Sequence, residues 1–276
     1  IQNLDMDYEL IFVDDGSKDT TPLILSRLTE QDDHVRALIL ARNFGHQLAI
    51  TCGMDYAQGD AIITMDGDMQ HPPAMIPDLV QKWREGFDVV QTVRKGTDDA
   101  GFLKRLTSKW YYILLNALSP VHITPGGSDF RLIDRRVLNT FRLFREHDRF
   151  IRGMMGDIGY KQTTLDFIAP RRFAGKSKFS GRKMLHFALD GITAFSKTPL
   201  RISFYAGLLS GLLSIIMIIH TLYSHLTGTA APGWTTTTIM VCLMGGLQLI
   251  FLGVIGEYIG RIFEEVKQRP LYWLRA

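Results

Sequence analysis

Cysteine is nearly absent: Cys52 and Cys242 are the only two in 276 residues, and the second lies inside an apolar segment. So sparse a set builds no disulfide framework and fits a protein facing the cytoplasm. An excess of one charge is lacking too. The 31 Lys and Arg against 28 Asp and Glu leave a formal net charge of +3, too weak to argue for nucleic acid, and no nucleic-acid partner is expected. What basic charge there is gathers locally, in RKGTDDAGFLKR, APRRFAGKSKFSGRK and GRIFEEVKQRP, clusters able to meet phosphates. No GxGxxG opens a helix after the first strand, and no GxxxxGK[ST] occurs anywhere. A dinucleotide fold and a P-loop therefore lose their main support. The first residues do not read as a secretory signal peptide; DYELIFVDDGS at 7–17 already reads as a strand running into a turn.

What is present, up to about residue 175, is an alternation of short apolar strands and amphipathic helices. ELIFV is followed by a helix over 20–32, VRALILA by a helix over 46–58, AIITM by a helix over 75–85, and then comes DVVQTV. That order predicts an α/β fold with a mostly parallel sheet wrapped by helices. In such sheets the ligand sits beyond the carboxyl ends of the strands, where DDGS and DGDMQ both lie.

The last quarter changes character. SFYAGLLSGLLSIIMIIHTLY at 203–223 and TIMVCLMGGLQLIFLGVIGEYI at 238–259 are uninterrupted apolar runs except for Glu257, each long enough to cross about 30 Å of hydrocarbon. Lys197 and Arg201 precede the first, Arg261, Lys267 and Arg269 follow the second, and SHLTGTAAPGWTT between them has no Lys or Arg. Both ends are therefore expected in the cytoplasm, with a short loop outside. Glu257 is expected to pair with Arg261 one helical turn on. In RKMLHFALDGITAFSK, Leu185, Leu189 and Ile192 share one helical face, which suits a helix lying in the membrane surface. Small residues along GGLQLIFLGVIG favour packing of the spans against copies of themselves, and a homo-oligomer is expected.

The chemistry concentrates in MDGDMQHPP at 65–73. Asp66 and Asp68 alternate with Gly67, so in an extended segment their side chains fall on one side, and Gln70 continues the period. Three oxygen donors at a strand end suit a hard divalent cation, Mg²⁺ or Mn²⁺, that keeps positions open for substrate phosphates. Gly67 lets a ligand approach the backbone, and His71-Pro72-Pro73 stops the strand. A phosphatase of the haloacid dehalogenase type also carries two such aspartates, but it has Thr or Val where Gln70 stands.

Taken together, IFVDDGSKDTT, ARNFGHQLAITCGMDYAQGD, MDGDMQHPP, SDFRLIDRRV, DRFIRGM, RRFAGKSKFSGRKML, ALDGITAFS and GEYIGRIFEEVKQRPLY resemble the family 2 glycosyltransferases of the GT-A fold. Within them the chain is most similar to the polyprenyl-phosphate glycosyltransferases, the group of dolichol-phosphate mannose synthase and the bactoprenol glucosyltransferases. The resemblance implies a Rossmann-like GT-A domain over 1–175, a juxtamembrane region over 176–200, two transmembrane helices within 201–260 and a cytoplasmic tail over 261–276. It also implies an integral protein of a bacterial inner membrane, with a nucleotide-sugar donor and a polyprenyl-phosphate acceptor as partners. The reaction implied is metal-dependent transfer of the sugar with inversion, glucose from UDP-glucose being the first expectation.

Residue by residue, the resemblance assigns Asp14, Asp15, Asn43 and Gly67 to the donor, Asp66, Asp68 and Gln70 to the metal, and Asp129 to the family's catalytic base. Arg94, Lys104, Arg105, Ser108, Arg131, Arg172 and Lys178 match the region that receives the acceptor phosphate. Two departures stand out. Asp157 occupies a place where the family has Trp, and nothing matches the family's opening PxYNE-like segment, so the family's first strand and helix are expected to be missing from this sequence. A processive polysaccharide synthase would carry a QxxRW motif and more spans, and neither is present. A membrane-tethered protein that binds nucleotide sugars without turnover is the rival from another class.

Overall fold

The computed structural model describes residues 6–95, 126–168, 198–227 and 233–275. Two compact units emerge, one of residues 1–191 with 269–276 and one of residues 192–268.

In the first unit the expected alternation is present. β1 (Leu10–Asp14), α1 (Thr21–Gln31), β2 (Val35–Ile39), α2 (His46–Tyr56) and β3 (Ala61–Thr64) follow in turn. After a 3₁₀ turn at Pro73–Met75 come α3 (Ile76–Arg84) and β4 (Val89–Arg94); later come β5 (Gly127–Asp134), α4 (Arg135–Phe141), α5 (Ile151–Asp157) and β6 (Gln162–Phe167). Local chemistry sets several of these boundaries. Pro22 starts α1, whose first amide is met by Asp19 Oδ1 at 3.0 Å, and Asp134 caps α4 through a 2.8 Å bond from Arg136 N; both are ways of satisfying amides that a helix start leaves unpaired.

β1 and β2 pair in parallel, and a four-stranded sheet runs in the order β3-β5-β4-β6. β4 and β6 are parallel, whereas β5 is antiparallel to both β3 and β4. Within that sheet three strands run one way and β5 alone runs back. This reversal positions the site, because it places the start of β5 beside the carboxyl ends of β3 and β4, with Thr64 and Gln91 both in register with Arg131.

The core lies on the two faces of this sheet. Ile62, Val89, Ile133, Val137, Leu138, Phe141, Ile151 and Met154 pack on one side, and Leu79, Val80, Val90, Phe130 and Leu132 on the other. A third cluster of Leu38, Leu40 and Cys52 sits under Tyr272 and Leu274. Each such side chain contributes about 1.5–3 kcal/mol by leaving water.

The second unit contains two helices, α6 (Thr198–Leu226) of 29 residues and α7 (Trp234–Val266) of 33. Their apolar stretches Thr198–His220 and Leu243–Val266 have the length and composition to cross a membrane, at about 1.5 Å per residue. Leu208, Leu212, Ile216, Leu249, Ile250 and Leu252 are all exposed. Ser210 Oγ lies 3.2 Å from Met244 Sδ across the pair, and Glu257 meets Arg261 at 3.2 Å as the i,i+4 spacing requires. The residues expected as a tail over 261–276 divide: α7 runs on to Val266, and residues 269–275 belong to the α/β unit.

Candidate active site

β3 ends at Thr64, so the carboxylate pair lies in a turn rather than on an extension of the strand. Burial alternates along it: Asp66, Asp68 and Gln70 are partly buried while Met65, Gly67 and Met69 are exposed. The turn is tight enough to put Met69 at φ 64. It is pinned by Gln70 N donating to Asp68 Oδ1 at 3.1 Å and by Asp66 N donating to His71 Nδ1 at 2.9 Å. A Cβ at Gly67 would meet nothing within 4 Å, so space is open beside the pair.

The bond from Asp66 N makes His71 Nδ1 an acceptor, so a neutral His71 carries its proton on Nε2 and donates to Ser128 Oγ at 2.7 Å. Burial lowers the proton affinity of His71, and nearby Arg94 lowers it further against the pull of Asp66, Asp68 and Asp129. His71 is buried and stacks on Phe130, with ring centroids 5.2 Å apart, and so props the turn against β5.

Asp129, 8% exposed, is the hub. Its Oδ2 faces His46 Nε2 at 3.1 Å and Gln47 Nε2 at 3.4 Å; its Oδ1 faces Arg131 Nη2 at 2.9 Å and Arg152 Nε at 3.3 Å. Burial alone would raise its pKa, but the hydrogen bond from His46 and the fields of Arg152 and Arg131 outweigh it and hold the carboxyl well below the usual carboxylate range. His46, in the first turn of α2, also reaches Asp66 Oδ1 at 3.5 Å. It thereby links the expected metal turn to the expected base. Its own proton affinity is raised, mainly by Asp129 and against burial. Gln47 accepts from Ile151 N at 2.9 Å and so ties α5, the helix of Arg152, to the same place.

Among the described residues no three His, Cys, Asp or Glu form a closed metal cage. Two partly exposed carboxylates with an amide oxygen alongside still fit a hard cation that takes its remaining ligands from solvent and from a substrate's phosphates. The electrostatics agree, because burial raises the pKa of Asp66, and Asp129 and Asp68 add to that against His46 and His71; a cation would relieve this crowding of negative charge.

Asp14 and Asp15 are brought to the end of β1, yet their carboxylates hold backbone. Asp14 accepts from Ser17 N at 3.2 Å, closing the turn rather than capping α1, and Asp15 accepts from Phe44 N at 2.7 Å and Gly45 N at 3.0 Å. Asn43 Nδ2 donates to Asp15 O at 3.2 Å. Of the cations expected at the acceptor phosphate, Arg94 is partly buried at the end of β4. Arg131 is placed otherwise than expected: it is 1% exposed and spends Nη2 on Asp129 and on Ser128 O. Burial pulls its pKa down to about 10 against the support of Asp129. Lys104, Arg105, Ser108, Arg172 and Lys178 lie outside the described residues, as does most of the region over 176–200. Asp157 is exposed at the end of α5.

Against protein-family models, residues 1–142 match glycosyl transferase family 2 and residues 198–262 match the GtrB C-terminal hairpin. The chain belongs to glycosyl transferase family 2. A bactoprenol glucosyl transferase of Shigella phage SfII is 40% identical over 97% of this chain and 87% of its own length. An uncharacterized glycosyltransferase of Bacillus subtilis is 42% identical over 96% of this chain and 82% of its own. Among solved structures, a mannosyltransferase from Pyrobaculum calidifontis in complex with GDP-mannose and Mn²⁺ matches 88% of this chain and 77% of its own at 16% identity. Its TM-score is 0.40, too distant to align one site on the other.

In this family 2 glycosyltransferase the candidate cluster also contains residues that motif matching did not single out: His46, Gln47, His71, Ser128 and Arg152. Each lies inside a motif, NFGHQ, MQHPP, GSDFR or FIRGM. For His71 and Ser128 the available signal was a polar side chain beside a residue already chosen, Gln70 or Asp129; for His46, Gln47 and Arg152 it was only their place inside a quoted motif.

Proposed function

We propose that the chain transfers a sugar, with inversion, from a nucleotide diphosphate to the phosphate of a membrane polyprenol, undecaprenyl phosphate, with UDP-glucose as donor and Mg²⁺ or Mn²⁺ as cofactor. The observation that carries this reading is the cluster of Asp66, His46 and Asp129, with Arg131 and Arg152 behind it, at the carboxyl ends of β3 and β4. Membership of the family, the relatives' activity as bactoprenol glucosyl transferases and two helices fit to span a bilayer support it. The α/β unit then faces the cytoplasm of a bacterial inner membrane, with the Lys- and Arg-free loop outside.

In this mechanism a phosphate oxygen of the acceptor attacks the anomeric carbon from the face opposite the diphosphate. The bond from that carbon to the diphosphate oxygen breaks, and the nucleoside diphosphate leaves with the electron pair. Asp66, Asp68 and Gln70 would hold the cation, which when bound neutralises charge developing on the leaving diphosphate. The acceptor is a phosphate with a second pKa of about 6 and is already largely dianionic at neutral pH, so no proton has to be removed from it. Asp129 suits that requirement: three flanking cationic groups keep it ionised and weakly basic, fit to fix His46 and Arg152 rather than to abstract a proton. Arg152 is 32% exposed and His46 51%, which leaves both open to an incoming anion, while buried Arg131 sets the position of Asp129.

The test is transfer of labelled glucose from UDP-glucose to undecaprenyl phosphate by the purified chain in detergent, with Mg²⁺ or Mn²⁺ and then with chelator. Metal-dependent formation of a lipid-linked glucose supports the proposal. Product from another nucleotide sugar alone corrects the donor, and binding of nucleotide sugars with no product from any donor refutes the transferase reading.

A further inference from the structure

Residues 269–275 come back to the α/β unit after α7 and lie along the end of β2. Arg275 N donates to Ile39 O at 2.7 Å, Ala41 N donates to Trp273 O at 3.1 Å, and Leu40 and Leu274 form an antiparallel bridge. The segment thereby pairs with the chain as it leaves β2, at residues 39–41. Its side chains reach one step further, to the loop at 41–45. The Trp273 ring meets Phe44 edge-on at 4.7 Å, and the Arg42 guanidinium lies 4.2 Å over Phe44 and 5.3 Å over Trp273. Tyr272 anchors the strap through a 2.8 Å bond to Asp55 Oδ2, which Arg145 also holds at 3.2 Å, and Leu271 is buried.

That loop is the partner of the 14–17 turn. Asp15 clamps the amides of Phe44 and Gly45, Asn43 returns a bond to Asp15 O, and Gly16, at φ 72, abuts Arg42 so closely that a Cβ there would come within 2.5 Å of its carbonyl carbon. Turn and loop therefore move as one, and the strap holds the loop from its other side.

We propose that Trp273 and Tyr272 are positioning residues for donor binding: the strap fixes the 41–45 loop so that the 14–17 turn keeps the geometry that receives the nucleoside end of the donor. This rests on the donor-side reading of Asp14, Asp15 and Asn43. Neither strap residue touches the donor, and their effect passes through Phe44, Arg42 and the backbone of Ala41.

The experiment compares the full chain in detergent with Trp273→Ala, Trp273→Phe and Asp15→Asn. Hydrogen exchange of the peptide over 41–46 needs no nucleotide and reads the loop directly. It should quicken about tenfold in Trp273→Ala, the upper worth of an aromatic pair, and return near the parent in Trp273→Phe. The KM for UDP-glucose should rise about five- to tenfold in Trp273→Ala, with kcat and the KM for undecaprenyl phosphate little changed. Unchanged exchange, or a lowered melting temperature with the donor KM unmoved, overturns the proposal and leaves the strap a purely structural brace. Failure of the donor-side reading looks different: Asp15→Asn would keep the parent donor KM while Trp273→Ala still loosened the loop. That result removes the donor role of the loop, and the proposal with it.

Discussion

Two carboxylate pairs follow the ends of two strands, β1 and β3, and they are used in opposite ways. After β1, Asp14 and Asp15 turn their oxygens onto the amides of Ser17, Phe44 and Gly45, so the pair organises backbone. After β3, Asp66 faces the imidazoles of His46 and His71 at 3.5 and 3.7 Å, next to the open space at Gly67, and Asp68 braces its own turn. A carboxylate saturated by amides stabilises a loop; one left beside titratable side chains and solvent is available to a cation.

The sharpest way to break this contrast is Asp68→Ala. Transfer should fall by at least about 10³-fold, as when the principal electrostatic support of a leaving group is lost, while the thermal midpoint stays within about 2 °C, and chelation of the parent protein should mimic the loss. An active Asp68→Ala protein would sink the metal assignment. Next comes Arg131, which decides how firmly Asp129 is held. Arg131→Met leaves a buried anion short of its partner and should cost about 3–5 kcal/mol in urea unfolding; a cost near zero would show that His46 and Arg152 suffice.

Asp15→Ala should act in the reverse order from Asp68→Ala, with a stability loss of about 1–3 kcal/mol from two amides left unpaired and an activity loss confined to the donor KM. The smallest effect is expected at Asp134, far from either pair in role, where the carboxylate caps α4 and accepts from Trp83 Nε1 at 2.8 Å. Burial raises its pKa, but the bonds from Trp83 and Arg136 prevail and lower it. A depressed folded pKa contributes stability above the unfolded value of about 3.9 and loses it as pH falls through the folded one. Asp134→Ala should therefore cost about 1 kcal/mol at pH 7, and the gap to the parent should close below about pH 4, as followed by thermal unfolding across pH.

Much of the order of elements was legible because it rests on local rules. The helices expected over 20–32 and 46–58 are seen at 21–31 and 46–56, since apolar spacing, Pro22 and the glycine before His46 act within a turn or two of chain. The alternating burial of Asp66, Asp68 and Gln70 was legible too, although it arises in a pinned turn and not in a continued strand. Less legible was the direction of β5. SDFRLID reads as a strand from its own pattern, but whether it runs with or against β3 and β4 depends on partners far away in sequence. The burial of Arg131 was hidden for the same reason. An arginine near a phosphate-binding motif looks like a ligand until the register puts it in the middle of a sheet, between Thr64 and Gln91.

By itself the sequence determined the class of the protein: an α/β domain of family 2 glycosyltransferase type, acidic residues at strand ends, and two apolar runs near its carboxyl end. Those follow from periodicity, composition and motif spacing, which are properties of short stretches. Only the tertiary structure decided which aspartate serves the backbone and which lies beside imidazoles and open space, that His46 joins Asp66 to Asp129, and that residues 269–275 brace the 41–45 loop. The physical reason is that a carboxylate's role is set by the groups within about 3 Å of it, and the deciding partners of Asp15, Asp129 and Asp55 (Phe44 and Gly45, His46, and Tyr272) lie 29 to 217 residues away along the chain.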